Sequence, residues 1–323
     1  MSDLNSAALE VVSPPMPKSR TAATTTSLFW TDDAMRQAKP LPLPHGDEPP
    51  PEQVRLALAE PTAPPVRVAP KPPVGKSLTI AEPSEPGTTL VEQLTAYPYA
   101  VTGKLYMRFP NGAMAVGSAW VIGRRSIFTA GHCLFDANSG GWATNVLFQP
   151  QYRNGQSAGK WVVTLPAALR EWVTRGDLRF DMACGVVNKV IGDKTGQAGY
   201  GANDPSAAGL ITAVGYPAER TRRHPFNGEQ MWQSVGRYDP TRDPAAGTTA
   251  DRIVGMFNDL SGGCSGGPWF RPGDSGPVAC GLNSHVRITP ADVPPRMYSP
   301  YFGAGFLRLV KWLADNRGEP NMG

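Results

Sequence analysis

A chain of 323 residues is long enough for one large or two ordinary domains, and 41% hydrophobic content supports a buried core. Charged residues make up only 18%, while Gly 35 and Pro 34 are high, a balance that favours strands and turns over long helices. The net charge of +4 is spread thinly apart from Arg220, Arg222 and Arg223, and no apolar run reaches membrane-span length. Neither a nucleic-acid partner nor a membrane is therefore expected.

In chain order, the N-terminus carries Asp3 and Glu10 and lacks a positive region followed by an apolar core, so no Sec signal peptide is read. The compartment stays open between cytoplasm, export by another route, and a chain recorded without its leader. Leu28–Ala38 predicts a short helix capped by Thr31 or Asp32. Fourteen of the 34 prolines then fall between Pro40 and Pro86, which predicts polyproline segments or disorder. Residues 1–95 are thus expected to be a Pro-rich, largely disordered N-terminal segment, either a propeptide or a linker. Its Pro-x-x-Pro spacings, Pro61 to Pro64 and Pro70 to Pro73, arise freely in any such linker and are weak grounds for a docking role.

From about residue 96 to 323 the pattern becomes short strands and Gly/Pro turns, as in a barrel or sandwich. Val101–Phe109 alternates. Ala119–Ile122 and Ser126–Thr129 flank Gly123-Arg124-Arg125 as a hairpin. Further strands are expected at Asn145–Phe148, Trp161–Thr164, Ala183–Val190, Leu210–Val214 and Val278–Leu282. Phe306, Leu309, Val310 and Leu313 recur at helical spacing before Gly318 and Pro320, predicting a C-terminal packing helix. No internal repeat is visible.

Chemistry concentrates in three places. Asp259-Leu260-Ser261-Gly262-Gly263-Cys264-Ser265-Gly266-Gly267-Pro268 sets one serine among glycines, whose freedom lets backbone N–H groups point inward around a nucleophile. Thr129-Ala130-Gly131-His132-Cys133 supplies an imidazole that titrates near neutrality. Phe180-Asp181-Met182-Ala183 supplies a carboxylate, with Asp177 as its competitor.

Together, in the order His, Asp, Ser, these motifs resemble the chymotrypsin/trypsin-like serine peptidases, from about Tyr97 to Leu313, and within them the bacterial branch that includes the glutamyl endopeptidases. The resemblance implies an all-β fold of two six-stranded antiparallel barrels with the active site between them, a C-terminal helix and a protease domain over 96–323. It implies a serine endopeptidase that works through an acyl-enzyme. Ser265 would be the nucleophile, His132 the base and then acid, Asp181 the orienting acid, and the N–H groups of Gly263 and Ser265 the oxyanion hole. The Trp30-Thr31…Met35 segment ahead of the prolines resembles a propeptide element of such enzymes.

Asp259, Asn283, Ser284 and His285 are the candidate substrate-binding residues. Asp259 falls where trypsin carries a basic-selecting acid, and Asn283 where glutamyl endopeptidases carry a histidine, so acidic, basic and broad preferences all stay open. Cys264 replaces the aspartate that captures a new N-terminal amine in trypsin, which argues against that activation step. The four cysteines, Cys133, Cys184, Cys264 and Cys280, permit two disulfides without showing any. The family's bridge to the strand before the histidine is missing, and Cys264 with Cys280 is either a pair or two free thiols. No metal or cofactor is expected, the partner is a polypeptide substrate, and the chain is expected to be a monomer. The competing reading is a catalytically silent, protease-like scaffold that works through its proline tract.

Overall fold

The computed structural model describes residues 10–15, 21–46, 64–79, 85–204, 210–237, 253–287 and 295–320. The N-terminal stretch holds helices α1 (Thr21–Phe29) and α2 (Asp32–Gln37) and five short strands, β1 (Val11–Val12), β2 (Lys39–Pro40), β3 (His45–Gly46), β4 (Val66–Val68) and β5 (Gly87–Leu90). α2 starts as its sequence predicts: the Thr31 hydroxyl accepts from the Ala34 N–H at 3.2 Å. α1, with four threonines in nine residues, has little intrinsic helix preference and was not foreseen. Trp30, between the two helices, is what fixes them. Its ring is buried with Tyr106, Val116, Leu147 and Val162, and its indole N–H donates to the Asn145 carbonyl at 2.8 Å.

β6 (Thr102–Arg108), β7 (Met114–Gly123) and β8 (Ser126–Thr129) lead into one helical turn, α3 (Gly131–Leu134), and a two-stranded ribbon of β9 (Phe135–Asp136) and β10 (Gly141–Trp142). β11 (Leu147–Pro150), β12 (Trp161–Leu169) and β13 (Ala183–Val187) complete the first sheet. Its antiparallel order is β12-β11-β6-β7-β8-β13, and β13 returns to pair with β12, so six strands close a barrel. The expected β7–β8 hairpin is present and delivers α3. Trp120 and Phe128 lie in the core beside Phe302 and Phe306.

The second half contains β14 (Gly199–Ala202), β15 (Leu210–Gly215), β16 (Trp232–Arg237), β17 (Ile253–Phe257), β18 (Pro268–Arg271), β19 (Val278–Leu282), β20 (Val286–Arg287) and β21 (Arg296–Pro300). Among the described residues this half does not close into a second barrel. The ladder is a seven-stranded open sheet, β4-β14-β19-β18-β15-β16-β5, with a separate β17–β21 pair packed beside β16 and β19. Both edges of that sheet are occupied by strands from the N-terminal segment. The last helix, α4 (Ala304–Asp315), buries Phe306, Leu309, Val310 and Leu313 as their spacing predicts, against β12, β13 and β14.

The described residues before position 95 therefore differ from a disordered leader. β1 joins β12, β2 runs parallel to β7, β3 parallel to β20, β4 joins β14 and β5 joins β16. Proline removes only its own N–H, so a proline-rich chain still adds short edge strands wherever a partner offers the missing half of the ladder. The Pro70–Pro73 stretch is used inside the chain: Lys71 and Gln197 exchange backbone hydrogen bonds at 3.0 and 2.9 Å. Pro61 lies outside the described residues.

Candidate active site

The serine loop is shaped by its glycines. Gly263 and Gly266 take φ of 92° and 81°, the left-handed region. A Cβ at Gly266 would strike the Thr129 side chain and the Ser118 carbonyl, and one at Gly267 the Val214 carbonyl. Bonds from the barrel hold the loop in place. The Ser118 N–H donates to the Ser265 carbonyl at 2.7 Å, and the Ser118 hydroxyl donates to the Gly263 carbonyl at 3.0 Å. The Ala218 N–H donates to the Gly262 carbonyl at 2.7 Å.

α3 carries His132 to the same place. Its Nδ1 lies 2.8 Å from Asp181 Oδ2, and its backbone N–H donates to Asp181 Oδ1 at 2.8 Å. The Ser284 hydroxyl donates to Asp181 Oδ2 at 2.6 Å. The circuit closes through the loop: the Gly266 N–H donates to the Asn283 carbonyl at 2.8 Å, and the Cys133 thiol reaches the Ser265 carbonyl at 3.6 Å. Burial works against a charged imidazole, but the Asp181 carboxylate outweighs it and holds His132 well above the ordinary histidine range. Burial likewise opposes the Asp181 carboxylate, and the facing His132, the Ser284 hydroxyl and the His132 N–H together keep it below the usual carboxylate range. Two buried polar atoms, His132 Nε2 and Ser265 Oγ, have no hydrogen-bond partner. Asp177, the alternative acid, is turned to its own helical turn and to Arg179.

The candidate substrate residues separate. Asp259 does not stand open: it accepts from the Thr88 hydroxyl, lies 2.9 Å from His224 Nε2, and is 4.0 Å from Arg223. Asn283 is consumed structurally. Its amide donates to the Val214 and Cys264 carbonyls at 3.1 Å each, and its oxygen accepts from Trp269 Nε1 at 2.8 Å and Asn258 Nδ2 at 3.0 Å. Ser284 serves Asp181. His285 is fully buried and stacks on Tyr298 at 5.4 Å, its Nδ1 is 3.0 Å from the Ser284 hydroxyl, and its Nε2 lacks a partner. Burial drives its pKa down to about 3, opposed by the charge of Asp181. All four cysteines are free thiols. Cys264 is buried in the apolar cluster of the second sheet, and that burial pushes its thiol well up.

A feature the sequence did not reveal lies over this site. Residues 39–46 run from β7 across the serine loop to β20. The Leu41 N–H donates to the Val116 carbonyl at 2.9 Å, and the Gly263 N–H donates to the Leu41 carbonyl at 3.0 Å. The Val286 N–H donates to the Pro44 carbonyl at 3.0 Å. Ser265 is 0% exposed and His132 6%. The only signal in the sequence was the alternation Pro40-Leu41-Pro42-Leu43-Pro44, which reads as a linker until its partners are seen.

No family model matches the chain. It is 30% identical over 210 residues to a glutamyl endopeptidase of Bacillus licheniformis, covering 62% of this chain and 58% of that protein. It is 29% identical over 138 residues to an extracellular metalloprotease of Bacillus subtilis, covering 41% of this chain and 44% of that one. The chain thus spans about half the length of the curated relatives it matches. Among the described residues no three of His, Cys, Asp and Glu converge as metal ligands.

Among solved structures, the thermostable serine protease AL20 from an extremophilic microorganism superposes with TM-score 0.57 at 28% identity, over 67% of this chain and 97% of that one. The protease Anisep of Arthrobacter nicotinovorans gives TM-score 0.56 at 29% identity, over 67% and 96%. A Glu endopeptidase gives TM-score 0.56 at 17% identity, over 74% and 100%, a likeness of fold alone. The chain is a homologue of a glutamyl endopeptidase, and its structural neighbours are trypsin/chymotrypsin-like serine proteases.

Proposed function

We propose that this chain is a serine endopeptidase that cleaves polypeptides through an acyl-enzyme. The observation that carries the reading is the His132–Asp181 pair beside a glycine-shaped serine loop, with His132 Nε2 and Ser265 Oγ both buried and unengaged. In this reading Ser265 Oγ attacks the substrate carbonyl as Nε2 of His132, in its deprotonated form, takes its proton. The N–H groups of Gly263 and Ser265 hold the oxyanion, and His132 passes the proton to the leaving amine. Water then hydrolyses the ester by the same route. Asp181, anchored by Ser284, fixes the tautomer and balances the imidazolium. The second sheet with its β17–β21 pair acts as the second barrel, and the strand edge at Asn283, Ser284 and His285 receives the residues preceding the cut.

The N-terminal segment belongs to the same reading: the chain is a precursor whose leader covers the cleft. Side-chain preference does not follow from Asp259 or Asn283, since both are committed to internal bonds. A fluorophosphonate probe tests the function. Labelling of Ser265 that vanishes in Ser265→Ala and falls in His132→Ala supports it. No labelling of the full chain or of a chain freed of its leader favours the scaffold.

A further inference from the structure

We propose that the cleft is a binding site for an extended, proline-alternating peptide taken in the direction opposite to substrate, and that residues 39–46 of the chain itself fill it as an uncleaved inhibitor. This rests on the peptidase reading above. Besides its ladder pairings with β7 and β20, three backbone bonds hold the segment: Leu41 N–H to the Val116 carbonyl, Gly263 N–H to the Leu41 carbonyl, and Val286 N–H to the Pro44 carbonyl. The middle one occupies an oxyanion donor.

The two leucines anchor it on either side. Leu41 packs against the large core cluster that fills the barrel, and Leu43 against the cluster of Phe226, Leu260, Cys264 and Trp269. Gly46 closes the far end. A Cβ there would come within 3.0 Å of His285 Cδ2 and of Leu178 Cδ1, so the backbone lies directly on both side chains.

Direction is what makes this an inhibitor. Residues before a scissile bond belong on the edge at 283–286, so a substrate would arrive there first and pass the serine afterwards. The segment does the reverse: Lys39 and Pro40 lie parallel to β7, Leu41 reaches Gly263, and His45 and Gly46 then run parallel to β20. The carbonyl in the hole is followed by the nitrogen of Pro42. That nitrogen lies toward β20, on the side opposite to a leaving amine, and is a proline nitrogen without an N–H. Attack at Leu41 would find its leaving group on the wrong side. Proline at every second position also stiffens the peptide, which lowers the ordering cost of holding it in place.

The test uses the full chain and two variants outside the catalytic machinery, Gly46→Val and Leu43→Asp, with Ser265→Ala as the blank. Two readouts are taken: the rate of fluorophosphonate labelling at Ser265, and amide exchange at Gly263 and Val286. Release of the segment is expected to speed labelling by about tenfold or more, the scale set by losing one or two backbone hydrogen bonds, and to speed exchange at both amides. A synthetic peptide with the sequence of residues 39–46, added to either variant, is expected to slow labelling again and to be recovered intact. Wild type that labels as fast as both variants, rapid exchange of Gly263 and Val286 in wild type, or cleavage of the added peptide after Leu41 would each overturn the inference. If no form labels while exchange rises in the variants, the segment sits as proposed and the peptidase reading falls instead.

Discussion

Trp30→Ala separates a leader that is part of the fold from one that merely rests on it. The indole is 1% exposed, packs on Tyr106, Val116, Leu147 and Val162, and makes one hydrogen bond to Asn145. An aromatic of this size buries about 150–250 Å². At about 25 cal/mol per Å² that is about 4–6 kcal/mol as an upper bound, and core substitutions of this kind cost about 3–5 kcal/mol. The other contacts of the two helices are less buried: Ala23, Phe29, Ala34 and Met35 pack partly exposed on the same cluster, α2 buries no residue of its own, and Thr26 is the buried residue described in α1. Losing Trp30 is therefore expected to detach 21–38 locally while the barrel stays folded. Amide exchange should accelerate across both helices, with little change in the exchange of β11, β12 and β13. Unchanged protection of α1 and α2 in Trp30→Ala would refute the anchoring argument.

Ser284→Ala removes one of three hydrogen bonds to the Asp181 carboxylate. A hydrogen bond to a buried charge is worth about 1.5–3 kcal/mol, so labelling of Ser265 is expected to slow by about 10–100-fold, with a shifted acid limb in its pH profile; an unchanged profile would count against the circuit.

Asp259→Ala is expected to lower stability by releasing Thr88 and His224 without switching side-chain preference in a peptide-library digest. Selective loss of cuts after Arg and Lys would show that Asp259 reads substrate.

His132 and His285 pull stability in opposite directions on either side of about pH 6.5. The folded His285 stays neutral down to about 3, with Asp181, Arg287 and His132 as the charges around it. The unfolded chain binds its proton near 6.5, so stability falls below that point by up to about 1.4 kcal/mol per pH unit. His132 is raised instead, so its contribution is complete below 6.5 and is lost as pH rises toward its folded value. Asp181, depressed, adds a further loss once pH falls below about 3.8 toward its folded value. Urea midpoints from pH 4 to 9 for wild type and His285→Phe check this. The acid slope should flatten in the variant, and identical slopes would refute it.

The meeting of His132 with Asp181 next to the serine loop was legible because each part sits in a short local motif whose neighbours dictate its backbone: Gly266 is there because Thr129 and Ser118 leave no room for a side chain. The short strands and α4 were legible for a similar reason, since turn residues and helical spacing are local patterns, whereas the barrel was implied only by the family resemblance. The commitments of Asp259 and Asn283 were not legible, because they depend on partners far away in the chain, such as Thr88 and Val214. The short strands described in the leader were not legible because proline reports only what a residue does not donate. Leu41 and Pro44 take part through an N–H and carbonyls that meet Val116, Gly263 and Val286 from distant parts of the sequence.

The N-terminal stretch is stitched to both halves of the molecule, by β1 and β2 to the barrel and by β4 and β5 to the edges of the open sheet. A nick between Gly46 and Pro64 would therefore cut the covalent link and leave both pieces seated. The severed fragment would behave as a tightly held subunit whose departure obeys mass action. Such a molecule would wake on dilution and quieten on concentration, so protein concentration becomes as much a control variable as the cut itself.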